Sequence, residues 1–309
     1  MNVQALATMR ILVFGFSRFA RRQHHLLVDR GYRATLVDEQ RPLAALAQIP
    51  SCDAVYQVGG PLVPRAMFEA ARLLNRPIVK HWIGTDVLRA GEQEVRRQAA
   101  ADNVTHWADA PWLAEELAKA GIKAEVVALS PVEAVTERPM RPQPLTALWY
   151  LPDSAFEFYG GQMALSLARR LPDARFLVVA SERGGRPAAP NIEFAGYLAD
   201  MEDAYERAHV LVRMPDHDGL SQMIIEALNR GRHAIWNYAF PHTLRAVGEE
   251  DVHAHLSRLA AALAAGSLEL NAGGRDYVRQ QYQGPIVADT ICRGIEALAR
   301  DARNGERKS

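Results

Sequence analysis

The chain has 309 residues, which at roughly 150 residues per domain predicts about two domains. Its 36 Lys and Arg balance 36 Asp and Glu, and a net charge of zero argues against a dedicated nucleic-acid binder, which would show a basic excess. With 49% hydrophobic and 23% charged residues and two cysteines, Cys52 and Cys292, fibrous, low-complexity and disulfide-scaffold readings fall away. The opening residues MNVQALATMR lack a basic-then-apolar leader and no window approaches 18 uncharged apolar residues, so a cytoplasmic protein without a membrane span is expected.

In the first half, short apolar runs bounded by Gly, Pro or Asp predict strands at Arg10 to Gly15, Arg33 to Asp38, Ala54 to Val58, Ile78 to Trp82, Val104 to Trp107 and Ala124 to Leu129. Amphipathic stretches such as Pro64 to Asn75 and Pro111 to Ala120 alternate with them, the second closed by Gly121. Strand alternating with helix implies parallel sheets joined by right-handed crossovers. Gly15, Phe16 and Ser17 follow the first strand and precede a helix, where a ligand meets an open α/β sheet; the segment is not G-x-G-x-x-G, so no nicotinamide is expected. The run Arg18, Arg21, Arg22, His24, His25 and Arg30 reads first as a solvated basic helix face. An anionic acceptor, or peripheral attachment to a membrane surface, is the open alternative.

The alternation stops at Pro131 to Pro144, where prolines 131, 139, 142 and 144 predict a linker. It restarts at Leu145, with strands at Phe176 to Ala180, Asn191 to Phe194, Val210 to Arg213 and His233 to Trp236, and helices at Gly161 to Leu171 and Ser221 to Arg230. Three helices close the chain: Asp251 to Ala265, Gly274 to Tyr282 and Pro285 to Arg300. The last carries an apolar stripe of Ile286, Ile291, Ile295 and Leu298 that must pack on one of the halves.

The segment that carries chemistry is Val210 to Trp236, VLVRMPDHDGLSQMIIEALNRGRHAIW. An apolar strand runs into Asp216-His217-Asp218-Gly219, and Ser221 is placed to N-cap a helix whose buried face is Ile224, Ala227 and Leu228 and whose end is Gly231. A helix N-terminus offers unused N–H groups and partial positive charge to a phosphate. Glu226 then lies where a carboxylate can accept sugar hydroxyls. The competing reading makes Asp218 a turn residue and Glu226 a solvated helix residue, with equal weight on local chemistry alone.

DGLSQMIIEALNRG resembles the E-G-x-x-x-x-x-x-E-A-x-x-x-G signature of family 4 glycosyltransferases, with Asp218 at the first acidic position and Glu226 at the second. The strands on either side, Gly219, Ala227 and Gly231 carry the specificity, since acid pairs at this spacing are common. KHWIGTDVL, residues Lys80 to Leu88, resembles the family's H-x-x-G-x-D stretch. Ala108 to Val132 and Asn271 to Tyr282 resemble the units before the linker and before the final helix.

The resemblance implies an α/β GT-B fold of two Rossmann-like domains: an N-terminal acceptor domain over 1–137, a linker over 138–144 and a C-terminal donor domain over 145–285. A last helix over 286–309 is expected to cross back to the first domain. It implies that Glu226 holds the donor ribose and that the backbone of Gly219, Leu220, Ser221 and Gln222 cradles the diphosphate. Asp218 then lies near the transferred sugar and His81 faces the reaction centre, with Gly15, Phe16, Ser17 and Asp86 on the acceptor side. Transfer is expected to retain anomeric configuration, with no metal and no cofactor, the nucleotide-sugar being a substrate. One feature departs from the pattern. The family places an Arg and a Lys for the diphosphate early in the second domain, whereas no basic residue lies between Leu145 and Gln162; Arg213 is the first candidate substitute, with Arg183 and Arg186 behind it.

Three readings remain open at this point. The first is a glycosyltransferase, the second a non-catalytic nucleotide-sugar-binding relative motivated by the missing basic pair, and the third a sugar-nucleotide epimerase on the same fold. Asp216-His217-Asp218 also spells D-x-D, a metal-binding pattern, in a context that disfavours it because it opens a helix directly. The donor's base and sugar, the acceptor and the oligomeric state are not specified by the residues.

Overall fold

Successive side chains of a strand point to opposite faces, so a strand buried on both faces reads as an unbroken apolar run. The first strand, β1 (Arg10–Gly15), shows this directly: Ile11 and Val13 enter one core, Leu12 and Phe14 the other. The computed structural model describes residues 9–15, 17–60, 63–133, 135–136, 138–141, 144–186 and 188–305. Residues 142–143 of the expected linker lie outside that set.

Two compact units emerge, 1–131 together with 284–309, and 132–283. In the first, β1, β2 (Arg33–Asp38), β3 (Ala54–Val58), β4 (Ile78–Trp82), β5 (Val104–Ala108) and β6 (Ala124–Val126) form an all-parallel sheet in the order β2-β1-β3-β4-β5-β6. One face is covered by α1 (Ser17–Asp29), through Ala20 and Leu27, and by the 21-residue C-terminal helix. The other face is covered by α2 (Pro42–Gln48) and α3 (Arg65–Leu73), through Ala45, Met67, Phe68 and Ala71. Two further helices, α4 (Gln93–Ala99) and α5 (Pro111–Lys119), connect the later strands.

The second unit repeats the architecture with β7 (Thr146–Tyr150), β8 (Arg175–Val179), β9 (Ile192–Phe194), β10 (Val210–Arg213), β11 (His233–Trp236) and β12 (Leu244–Arg245). Its sheet is all parallel in the order β12-β11-β10-β7-β8-β9. Helices α6 (Gly161–Arg170), α7 (Glu202–Arg207), α8 (Gln222–Asn229), α9 (Glu249–Ala264) and α10 (Ala272–Gln281) flank it. The core gathers Trp149, Phe176, Val178, Val212 and Ile235 from the strands with Leu165, Leu167, Leu256 and Leu259 from α6 and α9.

The last helix, α11 (Gly284–Asn304), places Val287, Ile291 and Ile295 on one stripe, four residues apart, against the first sheet. Gly294 passes so close to Trp107 that a Cβ there would lie 2.5 Å from the ring. No described helix is long and apolar enough to cross a membrane.

In open α/β sheets a ligand enters beyond the strand C-termini where the strand order reverses. That point lies between β1 and β3 in the first unit and between β7 and β10 in the second. At the first, Gly15 has φ +138° and a Cβ there would sit 2.1 Å from the Val58 carbonyl oxygen, so only glycine lets the two strand ends meet.

Candidate nucleotide-sugar site

Arg213 is the last residue of β10, at the reversal point of the second sheet. Its Nε and Nη2 donate to the two carboxylate oxygens of Asp218 at 2.5 and 3.0 Å, a bidentate pair with side chains only 10% and 12% exposed. The guanidinium lies 5.0 Å from the ring centroid of Tyr159 and 5.8 Å from that of Tyr150, whose rings meet edge to face. Burial lowers the Arg213 pKa and the Asp218 charge and hydrogen bonds outweigh it, for a net upward shift. Burial also raises the hydroxyl pKa of Tyr159.

The loop that carries Asp218 is tied to its neighbours. Asp216 N donates to Phe158 O at 2.9 Å, Asn237 Nδ2 to Pro215 O at 2.7 Å, and Asp218 N to the Tyr238 hydroxyl at 3.0 Å. Loops following β7, β10 and β11 are thereby cross-linked. Gly160, at φ +83°, brings the β7 loop against Met214, whose carbonyl oxygen would lie 3.1 Å from a Cβ.

Helix α8 starts at Gln222 with Ser221 in the N-cap position, but the Ser221 side chain makes no capping hydrogen bond; the cap is positional only. Its core face is Ile224, Ile225, Ala227 and Leu228, and Gly231, at φ +68°, ends it. Glu226 accepts from the Tyr205 hydroxyl at 2.7 Å and from Gln222 Nε2 at 3.0 Å. Each carboxylate oxygen keeps a second lone pair for a further donor. Burial, then the Glu226 charge, pushes the Tyr205 hydroxyl well above its ordinary pKa, so it remains a donor. Gly219 and Ser221 are buried and Leu220 and Gln222 half-buried.

Of the basic residues considered for the diphosphate, Arg186 donates to the Glu182 carbonyl at 2.7 Å, pairs with Asp153 at 2.9 Å and stacks 4.3 Å from Phe156. Arg183 is exposed. The D-x-D pair does not converge, because Asp218 turns both oxygens to Arg213 while Asp216 is exposed. Among the described residues no group of three His, Cys, Asp or Glu side chains could hold a metal ion.

The residues expected on the acceptor side lie in the first unit and are spent differently. His81 is fully buried, with Nε2 2.8 Å from Val127 O and Nδ1 2.8 Å from the Tyr56 hydroxyl. A carbonyl only accepts, so Nε2 carries the proton and Nδ1 accepts from Tyr56. Burial holds the ring neutral, its pKa lowered to about 3. Strand alternation turns His81 to the face of Val79, into a core shared with Tyr56 and Trp107, rather than toward a substrate. Asp86 accepts from the Ile83 and Gly84 amides at 3.1 and 3.0 Å and pairs with Lys80 at 3.5 Å. Gly15 sits at the reversal point, Ser17 opens α1, and Phe16 lies outside the described residues. From the basic run, Arg18, Arg21, Arg22 and His25 are exposed, whereas Arg30 pairs with Asp289 and His24 contacts the Ala34 carbonyl at 3.2 Å.

Tyr150, Tyr159, Tyr205 and Tyr238 were not singled out in the sequence. For Tyr150 and Tyr159 the signal is the aromatic density of WYLPDSAFEFY, at the place where basic residues are sought; Tyr205 and Tyr238 lie outside that run and carry no such signal.

No protein-family profile matches the sequence and no curated protein matches it. Solved structures do match in three dimensions. Anabaena HepE, in complex with UDP and glucose, superposes with TM-score 0.68 at 10% identity, over 93% of this chain and 99% of its own. Sucrose-phosphate synthase from Thermosynechococcus elongatus gives 0.71 at 11% identity, over 94% and 99%. A glycosyltransferase from Rickettsia africae ESF-5 gives 0.69 at 10% identity, over 94% and 98%. With two all-parallel sheets of matching architecture, the chain has the fold of the GT-B glycosyltransferases, built from two Rossmann-like domains.

Proposed function

We propose that this protein is a glycosyltransferase of the family 4 type, which binds a nucleotide-sugar donor in its second unit and passes the sugar to an acceptor held by the first. The observation that carries this reading is Glu226, fixed by Tyr205 and Gln222 on the helix that opens at the reversal point, with Arg213 at the adjoining strand end. Glu226 accepts the donor ribose hydroxyls, and the backbone from Gly219 to Gln222 receives the diphosphate at the helix N-terminus. The UDP and glucose bound by HepE, a protein of the same fold, support a nucleotide-sugar as the donor class.

In the transfer, the bond from the anomeric carbon to the diphosphate oxygen breaks and its electron pair leaves with the diphosphate. The acceptor hydroxyl oxygen forms the new bond on the same face, retaining configuration, and its proton passes to the departing diphosphate. Charge builds on that leaving group, so fixed donors aimed at it are the main catalytic device, without a metal ion. Asp218 lies by the transferred sugar, and His81 serves as a core residue of the acceptor unit.

The second reading is a nucleotide-sugar-binding protein without turnover. It is favoured by the pairing of Arg213 and Arg186 with Asp218 and Asp153, which compensates both cations within the protein. Glu226→Ala tests the shared element: it is expected to lower nucleotide-sugar affinity about tenfold or more by removing charge-assisted hydrogen bonds, with cooperative unfolding retained at a modestly lower melting temperature because the buried Tyr205 hydroxyl loses its acceptor. Full affinity in the folded variant would remove the assignment. Donor bound but never consumed, with any acceptor or with water, would select the second reading.

A further inference from the structure

A cation as buried as Arg213 needs a countercharge at all times, because an unpaired buried charge is strongly destabilising. Asp218 supplies it, filling the Nε–Nη2 edge of the guanidinium with two oxygens. That fork matches a carboxylate and a phosphate equally well. A diphosphate arriving with Asp218 still in place would meet a carboxylate on the edge best suited to receive it.

The loop geometry separates the Asp218 backbone from its side chain. The ties of Asp216 N to Phe158 O, Asn237 Nδ2 to Pro215 O and Asp218 N to Tyr238 all hold the loop's backbone and none of them runs through the carboxylate. Tyr150 and Tyr159 hold the guanidinium from another side, which fixes Arg213 while its anion is exchanged.

We propose that Asp218 is a displaceable counter-ion on Arg213, and that the donor diphosphate takes its place on the same guanidinium edge, making Arg213 the diphosphate anchor in a chain that lacks the usual basic pair. This rests on the second unit being the donor domain, and it adds that donor entry and release of the Asp218 carboxylate are one exchange. No bond is made or broken in it.

The test is the preference for diphosphate over monophosphate, measured by calorimetry with UDP and UMP, GDP and GMP, ADP and AMP, and TDP and TMP. The ratio within a base reports the phosphate anchor and cancels recognition of the nucleoside. Asp218→Asn removes the competing charge and is expected to raise the ratio about tenfold. Arg213→Gln is expected to lower it by a similar factor. Should either variant fail to melt cooperatively, the neutral double variant Arg213→Gln/Asp218→Asn carries the test, with a ratio expected below that of the wild-type protein. Nucleotides that still bind with an unchanged ratio in the folded variants would overturn the exchange and leave the donor site standing. No binding of any nucleotide to wild-type or Asp218→Asn protein would overturn both.

Discussion

The C-terminal edge of each sheet carries a buried ion pair, and the two pairs differ in their geometry and in the balance between burial and countercharge. In the first unit Lys80 reaches Asp86 with a single contact at 3.5 Å, donates to the Gly60 carbonyl and lies 4.5 Å from the Trp82 ring centroid. Asp86 spends its other oxygen on the Ile83 and Gly84 amides, and the side chains are 4% and 7% exposed. Burial wins there, lowering the Lys80 pKa to about 8. In the second unit Arg213 and Asp218 pair bidentately and the arginine's pKa moves up. The lysine pair is sealed and under-compensated, and it pins loops in place. The arginine pair is planar, better compensated and able to exchange one anion for another. Of the two pairs, only that of Arg213 presents a planar fork whose geometry also suits a phosphate.

The same contrast should appear when the two regions are strained. Gly15→Ala is expected to have the largest effect, a loss of ~4 kcal/mol or of soluble protein, because its Cβ would sit 2.1 Å from a backbone oxygen at a positive φ. Urea unfolding of the variant measures it, and near-wild-type stability would show that the first reversal point is looser than described. The pH dependence of Lys80 comes next. Its pKa is about 8 folded against 10.5 as the ordinary value, so between these limits this amine binds more protons in the unfolded chain and its own contribution to stability rises with pH. The gain is about 3 kcal/mol, complete above pH 10.5 and lost as pH falls toward 8, and Lys80→Met should flatten that window. A Lys80→Met profile with the same slope as the wild type across it would refute the sealed lysine. Gly160→Ala in the second unit is expected to cost only ~1–2 kcal/mol, its Cβ meeting the Met214 carbonyl oxygen at 3.1 Å. The smallest expected effect is that of EDTA on turnover, which is none; lost activity restored by Mg²⁺ or Mn²⁺ would revive the D-x-D reading of Asp216 and Asp218.

Most strands were readable because burial on both faces writes them as apolar runs: β1, β3, β4, β10 and β11 begin and end where the sequence places them, as does the more exposed edge strand β2. The short polar helices α4 and α7 and the two-residue β12 carry no such pattern and went unread. At the site, Arg213, Asp218 and Glu226 were readable because one strand–loop–helix segment holds all three. Tyr205, Tyr159 and Tyr238 were not, since only the fold brings them there from other elements. His81 shows the limit of a motif: period-two alternation puts a strand residue on one of two faces, and packing decides which.

The most direct test of the central claim is a thermal-shift panel of UDP, GDP, ADP, TDP and their common sugar conjugates against the wild-type protein. A ligand of the folded state raises stability by RT ln(1 + [L]/Kd), about 2.7 kcal/mol at a hundredfold excess over Kd. The nucleotides of one base and their sugar conjugates are expected to raise the melting temperature clearly. An unchanged melting temperature across the whole panel would contradict a nucleotide-sugar site in the second unit.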